Sequence, residues 1–138
     1  MYQVGIDIGS SAAKVAVIED NKVVKTILLD TGFSSRKIAE KIYLMLEKDG
    51  ITKENSRYVA TGYGRISVPY ANKVVTEITC HGKGAQFLFE EDGTVIDIGG
   101  QDTKGIMLKK GRVMKFIMND KCSAGTGKFI EVMTNRLG

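Results

Sequence analysis

The sequence repeats one of its own segments. Ile6-Asp7-Ile8-Gly9 returns as Ile96-Asp97-Ile98-Gly99, an ungapped offset of 90 residues (97 minus 7). At that offset Lys14 meets Lys104, Val23 meets Val113, Lys25 meets Lys115 and Ile27 meets Ile117. Val17 and Ile18 face Met107 and Leu108, and Asn21 faces Gly111. A register held across this span requires two copies of one supersecondary unit, so any fold for this chain must place the same ribbon twice.

Each copy reads as strand, Gly-rich turn, strand, hairpin, strand. Alternating apolar positions predict strands over 3–8, 14–19 and 22–29 in the first copy, and over 94–98, 103–109 and 112–118 in the second. Asp20-Asn21 and Lys110-Gly111 supply the two-residue turns, since Asn and Gly tolerate left-handed backbone angles. Beyond the ribbon the two copies diverge. After the first, Ile38, Ile42 and Leu46 recur at helical spacing, with Ser34 or Ser35 as N-cap and Gly50 past the end, predicting a helix over 35–49. A strand over 57–61, the Gly62-Tyr63-Gly64 turn, a short strand over 73–77 and a helix over 79–89 come next. After the second copy comes a single helix, over 124–137. The domain reading is therefore a first lobe over 1–92 and the start of a second over 93–138, with the second lobe incomplete and the chain an N-terminal fragment of a longer protein.

Composition narrows the classes of function. Of 138 residues 43% are apolar and 26% charged, enough to form a core, which excludes global disorder. No apolar run approaches the ~20 residues of a membrane span. The net charge of +4 is modest, and its densest cluster, Lys109, Lys110 and Arg112, sits at a predicted hairpin tip, so neither a nucleic acid nor a membrane is expected as partner. Cys80 and Cys122 form no CxxC pair and no disulfide framework, which points to a reducing cytoplasmic setting.

The Gly-rich turns carry the candidate chemistry. In Asp7-Ile8-Gly9-Ser10-Ser11-Ala12-Ala13-Lys14, the small residues at Gly9, Ala12 and Ala13 let backbone amides approach a phosphate. Ser10 and Ser11 add hydroxyls, Lys14 adds a compact positive charge, and Asp7 offers an oxygen suited to Mg²⁺ through water. The second turn, Gly99-Gly100-Gln101-Asp102, has the same backbone layout. Gln101 or Asp102 is placed to orient a water for attack on a phosphoryl group, and Asp102 to polarise it. Neither turn is a P-loop or a dinucleotide fingerprint, because Gly-x-x-x-x-Gly-Lys is absent and neither leads into a helix. The pair of turns implies a nucleotide gripped at its β- and γ-phosphates from two sides.

Cys122 precedes Ser123-Ala124-Gly125-Thr126-Gly127-Lys128, where a helix is expected to begin. A thiolate at a helix start is stabilised by the orphan amides and the helix dipole, and suits a metal or cluster ligand. From the residues alone a small buried Cys122 beside an N-capping Ser123 is the simpler account, because one Cys cannot hold a cluster. Cys80 and His81 read as ordinary helix or surface residues, not a catalytic pair. Tyr43 and Met45 read as core or near-core, and Met107, Met114 and Met118 as filling the second lobe's interior.

Paired Asp-x-Gly hairpins heading two lobes resemble the actin, Hsp70 and sugar-kinase superfamily, implying an α/β, ribonuclease H-like fold with mixed sheets and flanking helices. Within it, Ala60-Thr61-Gly62-Tyr63-Gly64-Arg65, Val95-Ile96-Asp97-Ile98-Gly99-Gly100-Gln101-Asp102 and the 118–127 segment Met-Asn-Asp-Lys-Cys-Ser-Ala-Gly-Thr-Gly closely resemble the activator components of 2-hydroxyacyl-CoA dehydratases, relatives of the benzoyl-CoA reductase ATPase subunits. That resemblance implies a homodimer holding one [4Fe-4S] cluster between its subunits. It also implies ATP hydrolysis with Mg²⁺, a reduced ferredoxin or flavodoxin as electron donor, and a 2-hydroxyacyl-CoA dehydratase as electron acceptor. It makes Cys122 one cluster ligand, with the second ligand and a Gly-Gly adenosine loop expected beyond residue 138. The alternatives are a non-redox nucleotide-dependent assembly or sensor module and, through Asp120, a small-molecule kinase.

Overall fold

The structure is a computed structural model that describes residues 1–137. Its contacts divide into two compact units, Met1–Glu77 and Ile78–Gly138.

The first unit is built on the first ribbon. Strands β1 (Tyr2–Ile8), β2 (Ala12–Glu19) and β3 (Lys22–Asp30) form an antiparallel meander, and helix α1 (Ser35–Lys48) comes after it. Strand β4 (Ser56–Thr61) and the short β5 (Lys73–Val74) then add in parallel on the other side of β1, giving the order β3-β2-β1-β4-β5. The alternation read from the sequence sets the face. Val4, Ile6 and Ile8 of β1 and Ala13, Val15 and Val17 of β2 are buried, and they form one core with Ile38, Ala39, Ile42 and Leu46 of α1. Of the two candidate caps it is Ser34 that closes α1, its hydroxyl accepting the Lys37 amide at 3.3 Å. The core continues into Tyr58 of β4 and, at its edge, Tyr70, whose hydroxyl donates to the Ala39 carbonyl at 2.7 Å.

The second unit repeats the ribbon. Helix α2 (Glu77–Phe89) leads into β6 (Gly93–Ile98), β7 (Thr103–Lys109) and β8 (Arg112–Asn119), an antiparallel sheet in chain order. Gly82 is the buried point of α2 and lies so close to the sheet that a Cβ there would meet Val113 Cγ2 at 2.6 Å. A single 3₁₀ turn (Ser123–Gly125) and helix α3 (Gly127–Leu137) complete the described elements.

The repeat extends to irregularities that sequence identity alone does not specify. The β2–β3 register shifts between Val17 and Ile18, and the β7–β8 register between Met107 and Leu108. Asp20 and Asn21 have φ of 49° and 60°; Lys110 and Gly111 have 49° and 70°. Both hairpins thus carry the same bulge and the same left-handed two-residue turn, each at the offset of the sequence repeat.

Three expectations are corrected. The helix expected from residue 124 begins at Gly127, because the Thr126 amide and hydroxyl fold back onto the Ser123 carbonyl and close a 3₁₀ turn first. The strand expected over 73–77 is only Lys73–Val74. Met107, Met114 and Met118 are exposed rather than interior, since they lie on the sheet positions opposite buried Lys104, Ile106 and Leu108 or on the largely exposed β8.

Candidate functional site

The first turn is pinned by its own backbone. The Gly9 amide donates to the Ala12 carbonyl at 3.0 Å, the Thr31 hydroxyl donates to the Gly9 carbonyl at 2.8 Å, and the Thr31 amide to the Ser11 carbonyl at 3.0 Å. Ser10 and Ser11 stand on this frame, and among the described residues their hydroxyls make no hydrogen bond. β2 begins at Ala12, and Ala13 is in the ladder with its side chain in the core. Asp7 lies at the end of β1, opposite Lys14 in register, and Lys14 Nζ donates to Asp7 Oδ2 at 3.1 Å.

The other carboxylate oxygen, Asp7 Oδ1, is buried and has no hydrogen-bond partner among the described residues. Thr61, its parallel neighbour on β4, presents a second such oxygen, Oγ1. A buried carboxylate oxygen without a donor is costly unless something binds it, and hydrated Mg²⁺ is of the right hardness and charge. The chain wraps closely here. Gly62 is buried at φ +89°, and the Gly64 amide donates to the Ile8 carbonyl at 2.8 Å. Arg65, which the sequence alone does not assign to the site, donates to the Gly62 carbonyl at 3.0 Å and fastens the same loop.

The second turn has the same frame: the Gly99 amide donates to the Asp102 carbonyl at 2.8 Å, the counterpart of Gly9 and Ala12. Its side chains differ. Lys104 is buried and lies 2.5 Å from Asp102 Oδ1 and 3.7 Å from Asp97 Oδ2. Asp102 is therefore tied to an ammonium, whereas Gln101 is exposed. His81 of α2 reaches Asp97, its Nδ1 2.5 Å from Oδ2. Sequence reasoning missed this contact. The signal available was the chain's one histidine, on the helix predicted over 79–89.

Cys122 is exposed and has extended backbone angles, φ −130° and ψ 118°. It precedes the 3₁₀ turn, not the first turn of α3, so the helix-start argument for a stabilised thiolate does not apply to it directly; nor is it the small buried residue of the simpler account. The surrounding segment is bonded to the second turn. The Gly127 and Lys128 amides donate to the Gly99 and Gly100 carbonyls at 2.8 and 3.2 Å, and the Thr103 hydroxyl donates to the Gly125 carbonyl. Among the described residues no three His, Cys, Asp or Glu side chains are grouped to hold a metal ion, and Cys122 is an open, free thiol. No helix among the described residues is long and apolar enough to cross a membrane.

A sheet in β3-β2-β1-β4-β5 order with a Gly-rich turn between β1 and β2, followed by a second copy of that ribbon, defines the actin-like ATPase scaffold. The chain belongs to the BadF/BadG/BcrA/BcrD ATPase family, whose model matches residues 4–138. It is 45% identical to the activator of lactoyl-CoA dehydratase from Anaerotignum propionicum, over 99% of this chain and 54% of that protein. Its structure is similar to that of component A of (R)-2-hydroxyglutaryl-CoA dehydratase from Acidaminococcus fermentans, with a TM-score of 0.89, 43% identity, and 99% and 54% of the two chains covered. It is similar also to the activator of 2-hydroxyisocaproyl-CoA dehydratase from Clostridium difficile with bound ADPNP, with a TM-score of 0.88, 38% identity, and 99% and 52% covered. The chain spans about half the length of these relatives.

Proposed function

We propose that the full-length protein is an ATP-hydrolysing activator that passes a low-potential electron to a 2-hydroxyacyl-CoA dehydratase. The bonding of the second turn to the cysteine segment carries this reading: the Gly127 and Lys128 amides hold the Gly99 and Gly100 carbonyls, so the backbone that receives a phosphate is fastened to the start of α3, one 3₁₀ turn after Cys122. A change in phosphate occupancy there is felt at the thiol through a few bonded residues.

Each turn has its own part. At the first turn Gly9, Ala12 and Ala13 form the small-residue frame on which Ser10 and Ser11 would offer amides and hydroxyls, and Lys14 a cation, to one set of phosphate oxygens, while Asp7 Oδ1 would hold a water of Mg²⁺. At the second turn Gly99 sets the frame through its bond to Asp102, and Gly100 would offer its amide. Gln101, with its side chain exposed, orients the attacking water, and Asp102, tied to Lys104, shapes the turn. Cys122 is one of two thiolates that each subunit of a cytoplasmic homodimer gives to a shared [4Fe-4S] cluster. When bound, that cluster supplies the one-electron chemistry, with reduced ferredoxin or flavodoxin as donor.

Anaerobic reconstitution of the full-length protein with iron and sulfide tests the assignment. The wild type is expected to develop charge-transfer absorbance and Mg²⁺-dependent ATP hydrolysis. Cys122→Ser is expected to lose the absorbance and keep nucleotide binding. A normal cluster in Cys122→Ser refutes the ligand assignment. Wild-type protein that stays free of iron favours a non-redox sensor.

A further inference from the structure

Asp7 and Asp97 hold the same place in the two copies, but their lysines behave differently. Lys14 crosses the β1–β2 ladder to Asp7 with its side chain 55% exposed. Lys104, its counterpart, is 3% exposed and faces two carboxylates, because position 102 is acidic where the first copy has Ala12. One ammonium between two carboxylates leaves a negative charge in a half-buried place. His81 supplies the missing partner from α2. Its Nδ1 lies 2.5 Å from Asp97 Oδ2, and Lys104 then sits 2.5 Å from Asp102 and 3.7 Å from Asp97.

We infer that His81 is a positioning residue for the second phosphate turn: by holding Asp97 it leaves Lys104 to Asp102, and so fixes the Gly99–Asp102 turn against which a phosphoryl group is received. The inference rests on the phosphate-binding reading of that turn. Only an N–H can bridge to a carboxylate, so Nδ1 carries a proton whether the ring is neutral or charged. With a neutral ring, Asp97, Asp102 and Lys104 sum to one negative charge; protonation at Nε2 brings the group to zero. The groups facing His81 are Asp97 from β6 and, behind it, Lys104 from β7 and Asp102 from the turn. On its own helix, Lys83 donates to the Gly111 carbonyl, and Glu77 and Cys80 are the other ionisable side chains.

Two measurements on the full-length protein test this. Calorimetric titration with ADPNP compares the wild type with two variants at one neutral pH. His81→Ala is expected to bind roughly tenfold more weakly than wild type, as for loss of one bond to a charged group. His81→Gln, whose amide can still donate to Asp97, is expected to recover most of that affinity. Equal affinity in His81→Ala and wild type overturns the inference. The second measurement needs no nucleotide: a long-range proton–nitrogen spectrum of the imidazoles, with the His81 signal identified by its loss in His81→Gln. A ring protonated at Nδ1, perturbed in Asp97→Asn, supports the contact; a neutral ring protonated only at Nε2 overturns it. Absence of ADPNP binding by the wild type refutes the phosphate reading, which the spectrum distinguishes from failure of the His81 contact.

Discussion

Replacing Gly62 by Ala separates two costs that usually arrive together. Gly62 is buried at φ +89°, and a Cβ there would overlap Asp7 Oδ1 and the Ile8 carbonyl. The left-handed backbone costs a residue with a side chain about 1 kcal/mol. The overlap adds roughly 1–3 kcal/mol, the usual cost of overpacking, since the Ile8 carbonyl is held by the Gly64 amide and cannot step aside. Gly50 is the control: its φ is +75°, but nothing lies within 4 Å of a Cβ, so Gly50→Ala carries only the first cost. Urea unfolding of the full-length variants, followed by far-ultraviolet circular dichroism, is expected to rank Gly62→Ala below Gly50→Ala by about 1–3 kcal/mol. The displaced Asp7 carboxylate is also expected to weaken Mg²⁺-dependent ADPNP binding in Gly62→Ala alone. Coincident unfolding curves for the two variants would refute the steric argument.

Three more outcomes are expected. Lys104→Ala leaves Asp97 and Asp102 without their shared ammonium and should cost about 3–5 kcal/mol in urea unfolding, partly recovered when Asp102→Ala is added. Cys122→Ser, at an exposed position, should unfold within about 0.5 kcal/mol of cluster-free wild type. Tyr70 has its phenol raised above the ordinary range, first by burial and then by Tyr58 and Tyr43. The folded state holds that proton more tightly than the unfolded chain, so the phenol's contribution is intact below the unfolded value of about 10 and is lost as pH climbs above it. Tyr70→Phe should lose about 1 kcal/mol at neutral pH with the bond to Ala39, and should flatten the alkaline fall in unfolding midpoint.

The ribbons were legible because their signals are local. Val4, Ile6 and Ile8 alternate, Asn21 and Gly111 permit the turns, and the copies vouch for each other. Ser34, Ile38, Ile42 and Leu46 likewise announce α1 through capping and spacing. What stayed hidden depends on partners distant in sequence. Nothing beside His81 announces that Asp97 will lie against its ring, and nothing beside Asp102 announces that a buried lysine will hold it. The start of α3 is hard to place because Ser123-Ala124-Gly125 suits a 3₁₀ turn as well as a helix, and only the bonds from Gly127 and Lys128 to the second turn decide where regular winding begins. The methionines mislead because β8 and alternate residues of β7 carry apolar side chains on an exposed face, which composition cannot distinguish from a filled one.

The shared bulge and left-handed hairpin turn make the two ribbons interchangeable parts at the level of the main chain. The bulges between Val17 and Ile18 and between Met107 and Leu108 lock strand pairing against slippage, so the turns closed by the Gly9–Ala12 and Gly99–Asp102 bonds keep their shape whatever the neighbouring side chains become. One copy could therefore be retuned electrostatically, trading an open lysine for a sequestered one with two acids and an imidazole, without any redesign of the sheet that carries it.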